Sequence, residues 1–182
     1  MSLIHFIDIE TTHLNPLRGD IIEICILTSI DGGITLSDDF CIKIKPQNLQ
    51  TADPNALKIN GYSDEKWTNA YTWQQAESMI ALKLKYGTIV AHNAMFEHRW
   101  LNHHLSTGIS WRWQCTKMLA IEHLPQLRSH SMKTLRRVFG ISAHNAHTAK
   151  KDAYDCWYLY KKLNRASIFD RLWVRMLAKL RL

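Results

Sequence analysis

A chain of 182 residues is long enough for one well-buried domain and short for two. Apolar and aromatic residues make up 46% of it, with both charge signs mixed in, which excludes a disordered polymer, and no run approaches the roughly 18 apolar residues of a membrane span. The 23 basic against 16 acidic residues give a net charge of +7, a balance that favours polyanions such as nucleic acid without identifying one.

In chain order, residues 3–10 (LIHFIDIE) alternate. Leu3, His5, Ile7 and Ile9 share one face, and Ile4, Phe6, Asp8 and Glu10 the other, predicting a strand with its acids at the C-terminal end. A turn-rich loop follows. Residues 21–30 predict a second strand, DGG at 31–33 a hairpin turn, and 34–46 a third strand, together an antiparallel meander. Residues 63–86 keep helical spacing, with Ser63 or Thr72 as N-cap and Gly87 as the stop. Residues 88–92 read as a short buried strand and 93–105 as a helix with Met95, Trp100 and Leu101 on or near one face. A short helix at 130–140 ends at Gly140, and a last helix at 146–166 starts near Thr148. This order predicts one α/β domain over residues 1–166, a mixed sheet with helices packed on it. Residues 167–182 are expected to form a basic amphipathic helix docked on the domain, with Ile168, Leu172, Trp173, Met176, Leu177 and Leu180 as its apolar stripe. Cys25, Cys41, Cys115 and Cys156 form no CxxC pair and are expected to be reduced core thiols. The opening segment has no basic run and carries acids, so it is not read as a signal peptide, and a cytoplasmic protein is expected.

Three acidic segments carry the chemistry. Asp8 and Glu10 are two apart on a strand, so their side chains point the same way and repel unless a cation neutralises them. Glu97 lies on the helix after an apolar strand whose C-terminal end is a natural site mouth. Asp152 sits in the last helix, and His147 precedes it by five residues, in the loop before the helix. That spacing fixes the acid and leaves the histidine mobile. An imidazole is the side chain best suited to take a proton from water near neutral pH. Oxygen ligands without cysteine suit Mg²⁺ or Mn²⁺ better than zinc. Two such ions, roughly 3.5–4 Å apart, stabilise both the attacking and the leaving oxygen of a phosphodiester.

The segments FIDIETTHLNP (6–16), IVAHNAMFEHRWL (89–101) and HTAKKDAYDCWYL (147–159) closely resemble the three exonuclease motifs of the DnaQ-like (DEDDh) 3′→5′ exonucleases. Order and spacing match over roughly residues 3–163. ALKINGYSDEKW (56–67), WQCTKMLAIEHLP (113–125) and SMKTLRRVFGI (131–141) resemble the family's connecting segments. His147, Ala149, Asp152 and Ala153 match the pattern of the histidine-bearing subgroup, and the bacterial exodeoxyribonuclease X branch is the most similar. The resemblance implies a ribonuclease H-like fold with a mixed five-stranded sheet, a meander plus parallel strands. It implies that Asp8 bridges two metal ions, that Glu10 and Asp152 help hold the one that activates water, that Glu97 supports the second, and that His147 is the general base. Ile9, Thr11, Thr12, Leu14, His92, Asn93 and Phe96 would bind the 3′-terminal nucleotide, with Leu14 as a wedge between the last two bases. The implied activity is hydrolysis of the 3′-terminal phosphodiester of DNA, at single-stranded or other 3′ ends, releasing 5′-mononucleotides, as in DNA repair. RNA is the alternative substrate.

Two positions depart from the family. Glu97 stands where aspartate is usual, which makes a catalytically weak 3′-end binding module the rival reading. His13 stands where a glycine usually follows the two threonines, and is strained if the loop needs a positive φ there. Lys150 and Lys151 are read either as phosphate contacts or as a solvated helix turn. Asp155 also lies near Asp152, but the H-x-A-x-x-D spacing selects Asp152.

Overall fold

The computed structural model describes residues 2–110 and 112–164. The tail expected as a docked helix lies outside them. Five strands form one mixed sheet: β1 (Ile4–Thr11), β2 (Ile21–Ser29), β3 (Asp38–Lys43), β4 (Thr88–Ala91) and β5 (Trp113–Cys115). Their spatial order is β3-β2-β1-β4-β5, with β1–β2 and β2–β3 antiparallel and β1–β4 and β4–β5 parallel. The meander and the parallel extension are thus both present, and β1 is the central strand.

Among the described residues, six α-helices accompany the sheet: α1 (Pro54–Ile59), α2 (Trp73–Leu84), α3 (Met95–His104), α4 (Thr116–His123), α5 (Met132–Phe139) and α6 (Ala149–Asn164). Thr72, not Ser63, caps α2, forming a capping box with Gln75. Residues 64–69 form turns rather than helix, and the Trp67 indole there donates to the Ile22 carbonyl of β2. The third strand is shorter than its hydrophobic run. Asp31 gathers the Ile34 and Thr35 amides and the Thr35 hydroxyl, which holds residues 31–35 in a tight loop and delays pairing to Asp38. Helices α1 and α4 and strand β5 are elements that local pattern did not predict; α1 and β5 are too short to display a period.

Both faces of β1 are covered. Ile7 and Ile9 pack with Ile80 and Leu84 of α2 and with Trp100 and Leu101 of α3. On the opposite face, Ile4 and Phe6 meet Ala149, Ala153, Cys156 and Tyr160 of α6. Small residues at 149, 153 and 156 recur at helical spacing, so α6 lies close against the sheet. Each fully buried Ile or Leu here contributes roughly 1.5–3 kcal/mol. The β2–β3 register sets Cys25 directly opposite Cys41, and the two are joined in a disulfide. The expectation of four reduced thiols is corrected for this pair. Sequence gives no register, and only the register makes them neighbours. Cys115 and Cys156 are free thiols. No helix among the described residues is long and apolar enough to cross a membrane.

Candidate active site

The alternation of β1 places Asp8 and Glu10 on the α6 side of the sheet, after Ile4 and Phe6. Asp152 occupies the first turn of α6, where the helix dipole favours a carboxylate. It follows Ala149 by three residues and so shares the face turned to β1. The outcome is a cluster in which ligand oxygens of Asp8, Glu10 and Asp152 all lie within 4.8 Å of one another. Residues 144 positions apart along the chain are thereby brought together.

Electrostatics follow from this crowding. Burial, then Asp152, Glu97 and Glu10, push the Asp8 carboxyl well above the usual range. Burial and Asp152 raise Glu10 to about 8. Burial raises Asp152 too, while Arg136 and then His147 pull it back. Carboxyls packed this way hold protons unless a cation takes their place.

Glu97 enters from the first turn of α3 and is 4% exposed. Burial raises it to about 8, and its Oε2 accepts no hydrogen bond from any described residue. A buried, unsatisfied carboxylate oxygen facing the field of Asp8 is costly unless a water or cation meets it. Three converging carboxylates plus this orphaned oxygen fit a divalent metal with oxygen ligands. Glu97 itself lies outside the three-residue cluster, in keeping with a more distant part.

His147 is exposed, in the bend just before α6, with φ 65°. It precedes Ala149, the first residue of the helix that carries Asp152, by two residues. A left-handed backbone is strained for a non-glycine residue and is often found at functional sites. The strain anticipated at His13 is absent. Among the described residues the non-glycine positive φ values belong to Asn145 and His147. His13 instead takes the Asn15 amide on its Nδ1, 2.9 Å away.

The loop after β1 is fastened at several points. The register shifts between Glu10 and Thr11, freeing the chain to leave the sheet directly after the acids. The Thr12 hydroxyl accepts the Asp20 amide at 2.8 Å, the Thr12 carbonyl accepts the Asp53 amide, and Asn60 Nδ2 donates to the Thr11 carbonyl at 2.9 Å. Gly19 passes so close that a Cβ there would sit 2.6 Å from the His13 Cβ. Thr11, Thr12 and Ile9 are buried, whereas Leu14 projects outward, 76% exposed. On the other wall Asn93 is exposed and Phe96 packs beside Trp100. His92 has both ring nitrogens engaged, with the Thr116 hydroxyl and the His130 carbonyl, and burial lowers it to about 4. It remains a neutral brace, with only its ring carbons left to meet a ligand.

Several residues escaped sequence reading. Glu23 pairs with Glu10 across β1 and β2, and its carboxylate accepts the Ala149 and Lys150 amides at the start of α6. An acid inside the apolar run IIEICIL was the available signal. Arg136 of α5 is 5% exposed and pairs with both Asp152 and Asp155. Nothing in TLRRV separates it from Arg137. Asp155 is bound by Arg136 at 2.7 Å and by Lys151, while Asp152 joins the acidic cluster. Lys150 pairs with Asp39 at 2.8 Å on the surface. Asn93, Met95, Trp113, Lys117, Met118 and Ile121 line an apolar groove of about 670 Å³. It lies at the end of β4, and the parallel pairing Phe6↔Val90 puts that end at the same edge of the sheet as the acids.

Comparisons with known proteins agree with this geometry. The RNase_T family model, described as Exonuclease, matches residues 5–160. The DNA polymerase III subunit epsilon of Treponema pallidum is 31% identical over 159 residues, covering 84% of this chain and 72% of that protein. A PolC-type DNA polymerase III of Thermotoga petrophila is 29% identical over 150 residues, 81% of this chain but 11% of the polymerase. Among solved structures, E. coli exonuclease I in complex with a dA16 oligonucleotide superposes with a TM-score of 0.78 at 18% identity, over 95% of this chain and 43% of that one. The chain thus spans a small part of the polymerase and under half of exonuclease I. Fold, acidic cluster and family match coincide over the same residues: this chain belongs to the DnaQ-like exonuclease family.

Proposed function

We propose that the chain is a metal-dependent 3′→5′ exonuclease that hydrolyses the terminal phosphodiester of DNA and releases 5′-mononucleotides. The observation that carries this reading is the convergence of Asp8, Glu10 and Asp152 within 4.8 Å, with His147 in the exposed bend that leads into the helix carrying Asp152. Two divalent ions, Mg²⁺ or Mn²⁺, would supply charge neutralisation at the phosphate and a water of lowered pKa. Asp8 and Glu10 would hold them from the central strand and Asp152 from the first turn of α6, with Glu97 as a supporting carboxylate. His147 takes the proton of the attacking water and, being in an exposed bend, has room to pass it to solvent. Leu14 meets the terminal bases as an exposed apolar wedge. The apolar groove with Lys117 accommodates bases and a phosphate of the entering strand. DNA is favoured over RNA by the names of the relatives, DNA polymerase III and an exonuclease solved with a deoxyoligonucleotide.

The test uses 5′-end-labelled single-stranded DNA and RNA incubated with Mg²⁺, Mn²⁺ or EDTA. A ladder shortening from the 3′ end of DNA, abolished by EDTA and by Asp8→Ala, is the expected result. Binding without shortening in either metal overturns the enzymatic reading and favours the 3′-end binding module. A faster ladder on RNA reassigns the substrate.

A further inference from the structure

The acidic cluster contains one cation of its own. Arg136 is buried in α5, and its guanidinium reaches across to α6 to bind Asp152 Oδ1 through one terminal nitrogen and Asp155 Oδ2 through Nε, the latter at 2.7 Å. Asp155 is further held by Lys151. The planar fork of an arginine suits this two-acid bridge, and a lysine cannot reproduce it. A buried arginine bonded to a proposed metal ligand is an expensive arrangement unless the geometry is used. We propose that Arg136 is a positioning residue of the metal site. It ties up one oxygen of Asp152 and anchors that side chain against Asp155, so that the other oxygen is presented to the cation in a single orientation. The proposal rests on reading Asp8, Glu10 and Asp152 as cation ligands.

Two effects of opposite sign then belong to Arg136. Its charge repels an incoming cation, which loosens metal binding. Its bridge fixes Asp152, which serves the reaction. Removing it therefore separates quantities that a merely structural residue would lower together.

The experiment uses the full chain with Mn²⁺ alone as the probe. Mn²⁺ affinity by calorimetry, the Mn²⁺-induced rise in Tm, and turnover on single-stranded DNA are measured for wild type, Arg136→Met and Arg136→Lys. For Arg136→Met, turnover is expected to fall by about tenfold or more, while Mn²⁺ binds as tightly as in wild type or up to about tenfold tighter, with a larger Mn²⁺-induced rise in Tm. For Arg136→Lys, which keeps the charge and the fold but not the bridge, Mn²⁺ affinity stays near wild type and turnover falls in between. Parallel loss of affinity and turnover in Arg136→Met overturns the proposal, as does wild-type turnover in Arg136→Lys. Should Arg136→Met fail to fold, Arg136→Lys alone decides. Failure of the wild-type chain to bind Mn²⁺ would instead strike the underlying reading of the acidic cluster, which distinguishes the two.

Discussion

Strand β1 and the bend before α6 supply the two halves of the proposed chemistry, and they are built in opposite ways. β1 is the central strand: β2 pairs along it, with Asp8 opposite Cys25, and β4 pairs with Ile4 to Phe6, just before the acids. The bend at 144–148 is exposed, and holds Asn145 and His147 in left-handed backbone. Metal ligands have to stand still, because cation geometry tolerates little displacement. A proton acceptor has to approach, release its proton to solvent and return. Set beside the proposed roles, the difference teaches that the ligand carboxylates come from regular backbone and the proton acceptor from an exposed, irregular bend. Asp152 lies between the two regimes, rooted in the first turn of α6 and tethered by Arg136.

The comparison is broken most severely at its rigid end. Asp8→Asn removes the carboxylate central to the cluster, and single-turnover assays are expected to show a loss on the order of a thousandfold or more, with Mn²⁺ binding weakened in calorimetry. At the exposed end, His147→Ala is expected to lower kcat by about 10²–10³-fold while Mn²⁺ and DNA affinities stay near wild type. Equal loss of all three would mean that the bend is structural instead. Glu97→Asp gives a smaller effect. The longer side chain already reaches the field of Asp8 from the start of α3, so steady-state rates are expected to change by less than about tenfold in either direction. A large gain would mark Glu97 as a handicap.

The mildest effect is one of stability. In the metal-free protein Glu10 and Glu97 hold their protons up to about pH 8, against an ordinary value of 4.5. The folded state therefore binds more protons than the unfolded state between these limits, and its stability falls as pH rises through them. Melting in EDTA should show a lower Tm at about pH 8 than at about pH 5, and Mg²⁺ or Mn²⁺ should restore most at the higher pH. A Tm that rises over this interval would mean that the acids are not crowded.

Much of the site was legible in the sequence because the residues that build it obey local rules. Alternation in 3–10 put Asp8 and Glu10 on one face, and the helical period from Ala149 put Asp152 on the face that meets them. The long helices and the four longer strands followed from the same periodicities, most of them with boundaries within three residues, whereas β3 begins only at Asp38 of the run 34–46 and α2 only at Trp73 of the run 63–86. β5, three residues long, and α1 were invisible to pattern. The partners of Arg136 and of Glu23 and the Cys25–Cys41 pair were illegible for a different reason. Each depends on which residue of a distant element lies opposite, and neither helix packing nor strand register is written in the spacing along one chain.

Sequence by itself determined the chemical inventory and the faces: which side chains carry charge, which way each points from its own strand or helix, and the order in which the segments occur. Only the tertiary structure decided the distances that turn this inventory into a site, namely the approach of α6 to β1 through small residues and the bridging of Asp152 by a buried arginine. Local periodicity is set by backbone geometry and is therefore printed in the chain. Convergence is set by how hydrophobic faces stack, and that becomes definite only when the whole sheet has closed its core.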